Sequence, residues 1–414
     1  MNSRRRWVVI LCWLTVVFEG FDIVAFGAAI PTLLDTGYAG MTSAGATYIS
    51  TISLVGVGLG AALIGPISDR FGRRVPLIVC VIVFSVFTLL LPLVPNVAMM
   101  GVLRLLAGLG MGACMPVAIT AMQEAAPANA KANSSTITMT GYHVGAVLAS
   151  LLAIALGGNW QWLFYGGGLL GLLAAAVMWA KLPETGEAAR SVAGGRPERV
   201  PVSTLLRGSY LRVTLGLWVA AFMGLLLVYG LNTWLPQIMR GAGYNVADAL
   251  TLLLIMNLGA VIGLLVGGRI ADARGPKGTT MVWFGCAAVL LALLSIRLEN
   301  ALVLNAVVLV TGVFVFCAQV LLYGFVGYLY PSRLVGTGMG FVAGVGRLGA
   351  IVGPWATGSL VTAGIAYPFG FYLFAAAAVL GVVAVAVIPR PSRASAESTA
   401  ESAEAVPPGR PAAG

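Results

Sequence analysis

Apolar residues fill this chain in long unbroken runs, and short polar or charged groups punctuate them. A helix needs roughly 20 predominantly apolar residues to cross the hydrocarbon core of a bilayer. By that measure the pattern predicts twelve spans, at 7–32, 44–66, 75–94, 96–123, 135–157, 160–180, 211–237, 246–270, 278–297, 301–329, 336–362 and 367–388. Strands of a membrane barrel would alternate with period two instead. The pattern therefore predicts an all-α membrane protein of twelve transmembrane helices.

Composition agrees. Of 414 residues, 59% are hydrophobic and 9% charged, where soluble domains carry about 25% charged residues. A soluble enzyme, a nucleic-acid binder and a disulfide scaffold are excluded on that ground. Cys12, Cys80, Cys114, Cys286 and Cys317 all lie inside apolar runs without paired spacing, so they are small packing residues rather than metal ligands. No cofactor is expected, and no nucleophile elbow or phosphate loop points to an enzyme.

The net charge of +10 is spread among the gaps between spans. Lys and Arg collect at Arg4 to Arg6, at Arg70, Arg73 and Arg74, at Lys131, over Lys181 to Arg212, at Arg269, Arg274 and Lys277, at Arg333 and in the tail, leaving only Arg240 and Arg297 on the other side. The positive-inside rule then places both termini in the cytoplasm. Only three of the 24 basic residues are Lys, a bias that suggests a bacterial source and hence a bacterial inner membrane. Arg4-Arg5-Arg6 before an apolar run looks like a signal peptide, but the run is too long for one, and a retained first span is expected.

The one long polar insertion, 181–210, divides six spans from six. The expected organisation is an N-terminal six-helix bundle over 1–180, a cytoplasmic linker over 181–210, a C-terminal bundle over 211–388 and a disordered tail over 389–414. Internal repetition supports it. Gly65-x-x-x-Asp69-x-x-Gly72 recurs as Gly268-x-x-x-Asp272-x-x-Gly275 at an offset of 203, Pro127 matches Pro331 at 204, and Pro31 and Pro236, both placed at span ends, match at 205. Secondary transporters are commonly built from such repeats, with substrate bound near the midplane between them.

The segment Gly65-Pro-Ile-Ser-Asp69-Arg70-Phe-Gly72-Arg73-Arg74 resembles the loop signature of the major facilitator superfamily. Further motifs narrow the likeness: Glu19-Gly20-Phe21-Asp22 with Gly27 and Pro31 in span 1, Tyr229-Gly230-Leu231-Asn232-Thr233-Trp234-Leu235-Pro236 in span 7, and Gly344-x-Gly346-Arg347-x-Gly349 in span 11. Together they resemble the aromatic acid:proton symporter family, importers of benzoate-type acids. Glu19 stands where that family has Asp, Lys131 follows Glu124 and Pro127 where it has Arg, and Ala273 and Pro276 interrupt the second copy of the loop. The resemblance implies two pseudo-symmetric six-helix bundles in the major facilitator fold. It also implies gating by Gly65, Asp69, Arg70, Gly72, Arg73 and Arg74, with Glu124 and Asp272.

Charges inside a bilayer cost at least about 2.5–3.5 kcal/mol each, so they usually line a working cavity. Here they are Glu19, Asp22, Arg104 and Arg347, joined by the sole histidine, His143. Glu19 and Asp22 share a helical face. Arg347 presents the planar fork that suits a carboxylate, and Arg104 competes as a packing or gating residue. Asp22, with Glu19 and His143, is expected to carry the coupled proton, although a lone intramembrane His is also often a plain helix contact. Phe21, Tyr142, Tyr229, Trp234 and Tyr323 offer faces to a substrate ring, and Asn232 belongs to the span 7 motif. The expected activity is import of an aromatic carboxylate with protons, by a monomer in the lipid bilayer. Carriers of other organic acids (muconate-like or nicotinate-like) and a proton-coupled drug exporter are the alternatives. Gly141-Tyr-His-Val-Gly145-Ala-Val lacks the proline and glycine pair of antiporters.

Overall fold

The structure, a computed structural model, describes residues 3–125, 131–184, 205–208, 210–330 and 332–389. Twelve of its helices are long and apolar enough to cross a membrane. They are α1 (Ser3–Thr36), α2 (Ser43–Phe71), α3 (Arg74–Leu90), α4 (Val97–Ala125), α5 (Lys131–Leu156), α6 (Gln161–Lys181), α7 (Tyr210–Gly241), α8 (Val246–Arg274), α9 (Pro276–Leu293), α10 (Ala301–Leu329), α11 (Ser332–Thr362) and α12 (Ala366–Val387). Several run past the apolar limits expected from sequence, because helical backbone must stay hydrogen-bonded until it reaches water. Pro31 and Pro236 are corrected from span ends to helix interiors: α1 and α7 continue beyond them.

The packing repeats with a shift of six helices. In the first bundle α2 packs on α4, α1 on α5 and α3 on both α4 and α6; in the second α8 packs on α10, α7 on α11 and α9 on both α10 and α12. The repeat extends to single atoms. A Cβ on Gly60 would stand 2.1 Å from the Leu109 carbonyl oxygen, and one on Gly263 2.4 Å from that of Val313. Gly108 faces the Ser53 carbonyl oxygen and Gly312 that of Met256, at 2.2 and 2.0 Å by the same construction. Between membrane helices small residues permit close backbone approach, where dispersion accumulates without a hydrophobic drive. The two bundles meet along a seam made by α1 on α7 and α8, α2 on α11, and α5 on α8.

The ends differ in charge. Arg5, Arg6, Arg73, Arg74, Lys181, Arg212, Arg274 and Lys277 lie at helix termini of one end, called the basic end below. The far end carries Asp35 and Arg240 at the last turns of α1 and α7.

Candidate functional site

Polar side chains gather where the seam crosses the middle of the helices. Arg347 of α11 lies deep among the helices yet remains only half-buried, the condition of a side chain that borders internal space. Its Nη1 donates to the Tyr229 hydroxyl of α7 at 2.9 Å, and its Nη2 lies 3.8 Å from Met115 Sδ of α4. The guanidinium thus bridges the bundles.

Glu19 of α1 is 1% exposed, and neither of its carboxylate oxygens has a hydrogen-bond partner among the described residues. The cation acting on it is Arg347, which also lies in the electrostatic range of Tyr323. Tyr142 of α5 faces Tyr229 with ring centroids 6.3 Å apart, and its hydroxyl is likewise unpartnered. His143 sits edge-on to Tyr142 at 5.3 Å and to Phe316 of α10 at 5.1 Å, so this residue of the first bundle packs onto the second. A buried polar group without a partner costs about 1–3 kcal/mol, and more when charged. Such a concentration is expensive unless it serves a ligand.

Asp22 goes elsewhere. It forms a buried ion pair with Arg104 of α4, and its Oδ1 accepts from Thr88 Oγ1 of α3 at 2.9 Å. The Arg104 guanidinium also covers the Phe26 ring at 5.0 Å. Asp22 and Arg104 are therefore paired with each other within the first bundle, while the carboxylate that feels the charge of Arg347 is Glu19.

Two of the expected ring residues have protein neighbours. Phe21 lies against Gly167 of α6, within the first bundle. Trp234 is fully buried, and its Nε1 donates to the Pro354 carbonyl of α11 at 2.9 Å, which makes it a brace between α7 and α11. Asn232 is also fully buried and accepts from Asn257 Nδ2 of α8 at 3.0 Å. Tyr323 stays half-buried, in the electrostatic field of Arg347 and beside Gln319.

At the basic end, Gly72 has φ +83, a left-handed backbone that turns α2 into α3. The Glu184 carboxylate fills the space over it, accepting from the Arg73 N–H at 2.8 Å and the Arg74 N–H at 3.3 Å. An anion there meets the unpaired donors and positive dipole end of α3. Arg73 Nη1 donates to Ser68 Oγ at 3.0 Å, and Arg74 donates to the Trp179 carbonyl near the end of α6. Lys277 repeats that bond in the second bundle, donating to the carbonyls of Ala386 (3.0 Å) and Ile388 at the end of α12. Gly65, Asp69, Arg70, Glu124 and Asp272 lie outside the residues whose side chains the structure describes, as do most of the linker and the tail.

At the far end, Arg240 of α7 donates to Asp35 of α1 at 2.8 Å and to the Pro31 carbonyl at 3.3 Å, joining the bundles. Sequence reasoning missed this pair, together with Thr88, Met115, Glu184 and Asn257. Each is an ordinary residue for its place until the fold supplies its partner. The position of Glu184, the first acid after span 6, was the available signal.

A family model described as Major Facilitator Superfamily matches residues 12–354. A gentisate transporter of Corynebacterium glutamicum is 31% identical, covering 94% of this chain and 89% of its own. The benzoate transport protein of Acinetobacter baylyi is 31% identical, covering 92% and 89%. Among solved structures, a D-xylose-proton symporter superposes with a TM-score of 0.79 at 15% identity, covering 94% of this chain and 98% of that one, a likeness of fold. The chain belongs to the major facilitator superfamily, a family of membrane transporters, alongside relatives named for the aromatic acids they carry.

Proposed function

We propose that this protein imports a benzoate-type aromatic acid by proton symport, alternating access to a site at the seam between its bundles. The observation that carries the reading is Arg347: a permanently charged fork, deep, half-buried, hydrogen-bonded to a phenol and, among the described residues, not neutralised by a bonded carboxylate. A travelling carboxylate supplies the missing partner in the bidentate geometry that arginine favours. Tyr229 bonds the guanidinium and Tyr142 packs beside it, and these rings are the faces offered to an aromatic substrate.

Glu19 is the proton carrier in this scheme. An unpaired charged carboxylate is costly in a dry interior, and a neutral one much less so. When the substrate anion occupies Arg347, Glu19 loses the cation that acts on it and takes a proton; when the anion leaves, the proton follows. Coupling then arises because two anions compete for one arginine. Asp22, committed to Arg104, braces α1 so that Glu19 stays aimed at the seam.

The basic end faces the cytoplasm of a bacterial inner membrane, following the positive-inside rule. Contacts at the far end, Arg240 with Asp35 among them, hold the outer side closed, and their release opens the site outward. Nothing in this scheme requires more than one copy of the chain.

The experiment is uptake of labelled benzoate and hydroxybenzoates into proteoliposomes under an imposed pH gradient, acidic outside. Accumulation that collapses with an uncoupler and with Arg347→Ala supports the proposal. Uptake indifferent to both removes it.

A further inference from the structure

The transport scheme leaves the Asn232–Asn257 pair unused. Asn257 Nδ2 donates to Asn232 Oδ1 at 3.0 Å and to the Leu253 carbonyl at 3.0 Å. One hydrogen bond between two carboxamides leaves one nitrogen and one oxygen over. Those atoms, Asn232 Nδ2 and Asn257 Oδ1, have no partner among the described residues, although both side chains are fully buried. Buried polar atoms are nearly always paired, and apolar side chains would fill the same space between helices without that penalty. His143 lies within side-chain hydrogen-bonding reach of Asn257, where its ring can turn to share the amide, and its Nδ1 is unpartnered too.

The cluster is linked to the carboxylate site by aromatic rings. His143 packs edge-on to Tyr142, Tyr142 faces Tyr229, and the Tyr229 hydroxyl accepts from Arg347. A wall built from α5 and α7 thus runs from the guanidinium to the two amides.

A phenolic hydroxyl donates one hydrogen bond and accepts others. It matches one free N–H and one free carbonyl oxygen. A second carboxylate, which only accepts, would face the Asn257 oxygen unfavourably, and a bare C–H edge would leave both atoms unpaired. We propose that Asn232 and Asn257, with His143 beside them, form a hydroxyl-reading subsite that selects ring-hydroxylated aromatic acids over the unsubstituted acid. This rests on Arg347 holding the substrate carboxylate.

The test compares kcat/KM for benzoate, 3-hydroxybenzoate, 4-hydroxybenzoate and 2,5-dihydroxybenzoate in proteoliposomes, for the wild type and for Asn232→Leu and Asn257→Leu. The wild type should favour at least one hydroxylated acid by about tenfold or more, since a site built to bond a hydroxyl discriminates against the analogue lacking it. Each variant should bring that ratio toward one. Because the ratio is taken within one preparation, reduced expression cancels, and the wild-type ranking needs no variant at all. Equal wild-type use of benzoate and every hydroxylated acid overturns the subsite while leaving Arg347-dependent transport standing. A hydroxyl preference that survives both substitutions overturns it as well. Failure of the wild type to carry any of the four acids overturns the transport proposal and the subsite together.

Discussion

Arg104 reaches Asp22 across 82 positions of sequence to form an ion pair inside the first bundle. Among the described residues the second bundle has no counterpart: at the repeat offsets of 204 for α10 and 205 for α7 stand Val308 and Leu227. The fold can therefore be built at this crossing with or without charge.

That asymmetry predicts how substitutions behave. Asp22→Ala or Arg104→Ala strands a buried charge and should destabilise by about 3–5 kcal/mol. Asp22→Leu with Arg104→Val copies the second bundle and should recover most of the loss, read as the melting temperature in detergent. The double variant should still accumulate acid under a pH gradient. If it folds but no longer couples uptake to pH, Asp22 and not Glu19 carries the proton.

Glu19→Gln keeps the shape of the buried carboxyl and removes its titration. Substrate exchange between two pools should continue, while accumulation driven by an acidic exterior should vanish. Exchange and pH-driven uptake measured on the same vesicles separate these outcomes, and accumulation that survives excludes Glu19 from coupling.

Arg347→Lys retains the charge and loses the fork, and Tyr229→Phe removes the hydroxyl that orients it. Truncating a buried charge partner costs about 2–5 kcal/mol of binding, so Arg347→Ala should abolish measurable uptake. The lysine variant should raise KM strongly, and Tyr229→Phe should raise it less, by about tenfold, since one hydrogen bond to a charged group is worth about 1.5–3 kcal/mol. Equal effects from all three would mean that Arg347 is structural.

The Arg240–Asp35 pair is partly exposed, with side chains 25% and 51% accessible. Such a pair contributes at most about 1 kcal/mol, so Asp35→Asn should change transport only a few-fold. A cleavable thiol-reactive crosslinker joining Asp35→Cys to Arg240→Cys is different: it should fasten the far end shut and stop uptake until reductant cleaves it. Uptake that persists after crosslinking would show that this end does not open.

Gly72→Ala should lower stability more than Glu184→Gln does. A Cβ on Gly72 would lie 2.3 Å from a Glu184 oxygen, and the backbone is left-handed there. Glu184→Gln removes charge from the start of α3 but keeps an acceptor, a loss of about 0.3–1 kcal/mol. Thermal melts of the two variants give the order directly.

Much of the architecture was legible in the sequence because burial in lipid is a one-dimensional signal. Uninterrupted apolar runs define spans, and the offset of 204 between His143 and Arg347 places them at equivalent positions of α5 and α11. Arg347 stood out as a charge that a bilayer would not otherwise retain. Pairing was not legible. Glu19 and Asp22 are three residues apart and look alike, yet neighbours on α3 and α4 satisfy only Asp22. The neighbours of Phe21 and Trp234 were not legible either, since helix rotation within a bundle is set by tertiary packing.

The glycine contacts of α2 with α4, and of α8 with α10, leave almost no gap between backbones. Surfaces in such close register resist sliding, because any shear would drive a carbonyl into the facing chain. Each half of the carrier must then swing as a stiff body, with its deformation confined to the larger side chains where the halves meet. A compound wedged among those side chains at mid-depth would arrest the swing in both directions, so one small molecule could serve as a lock for the whole cycle.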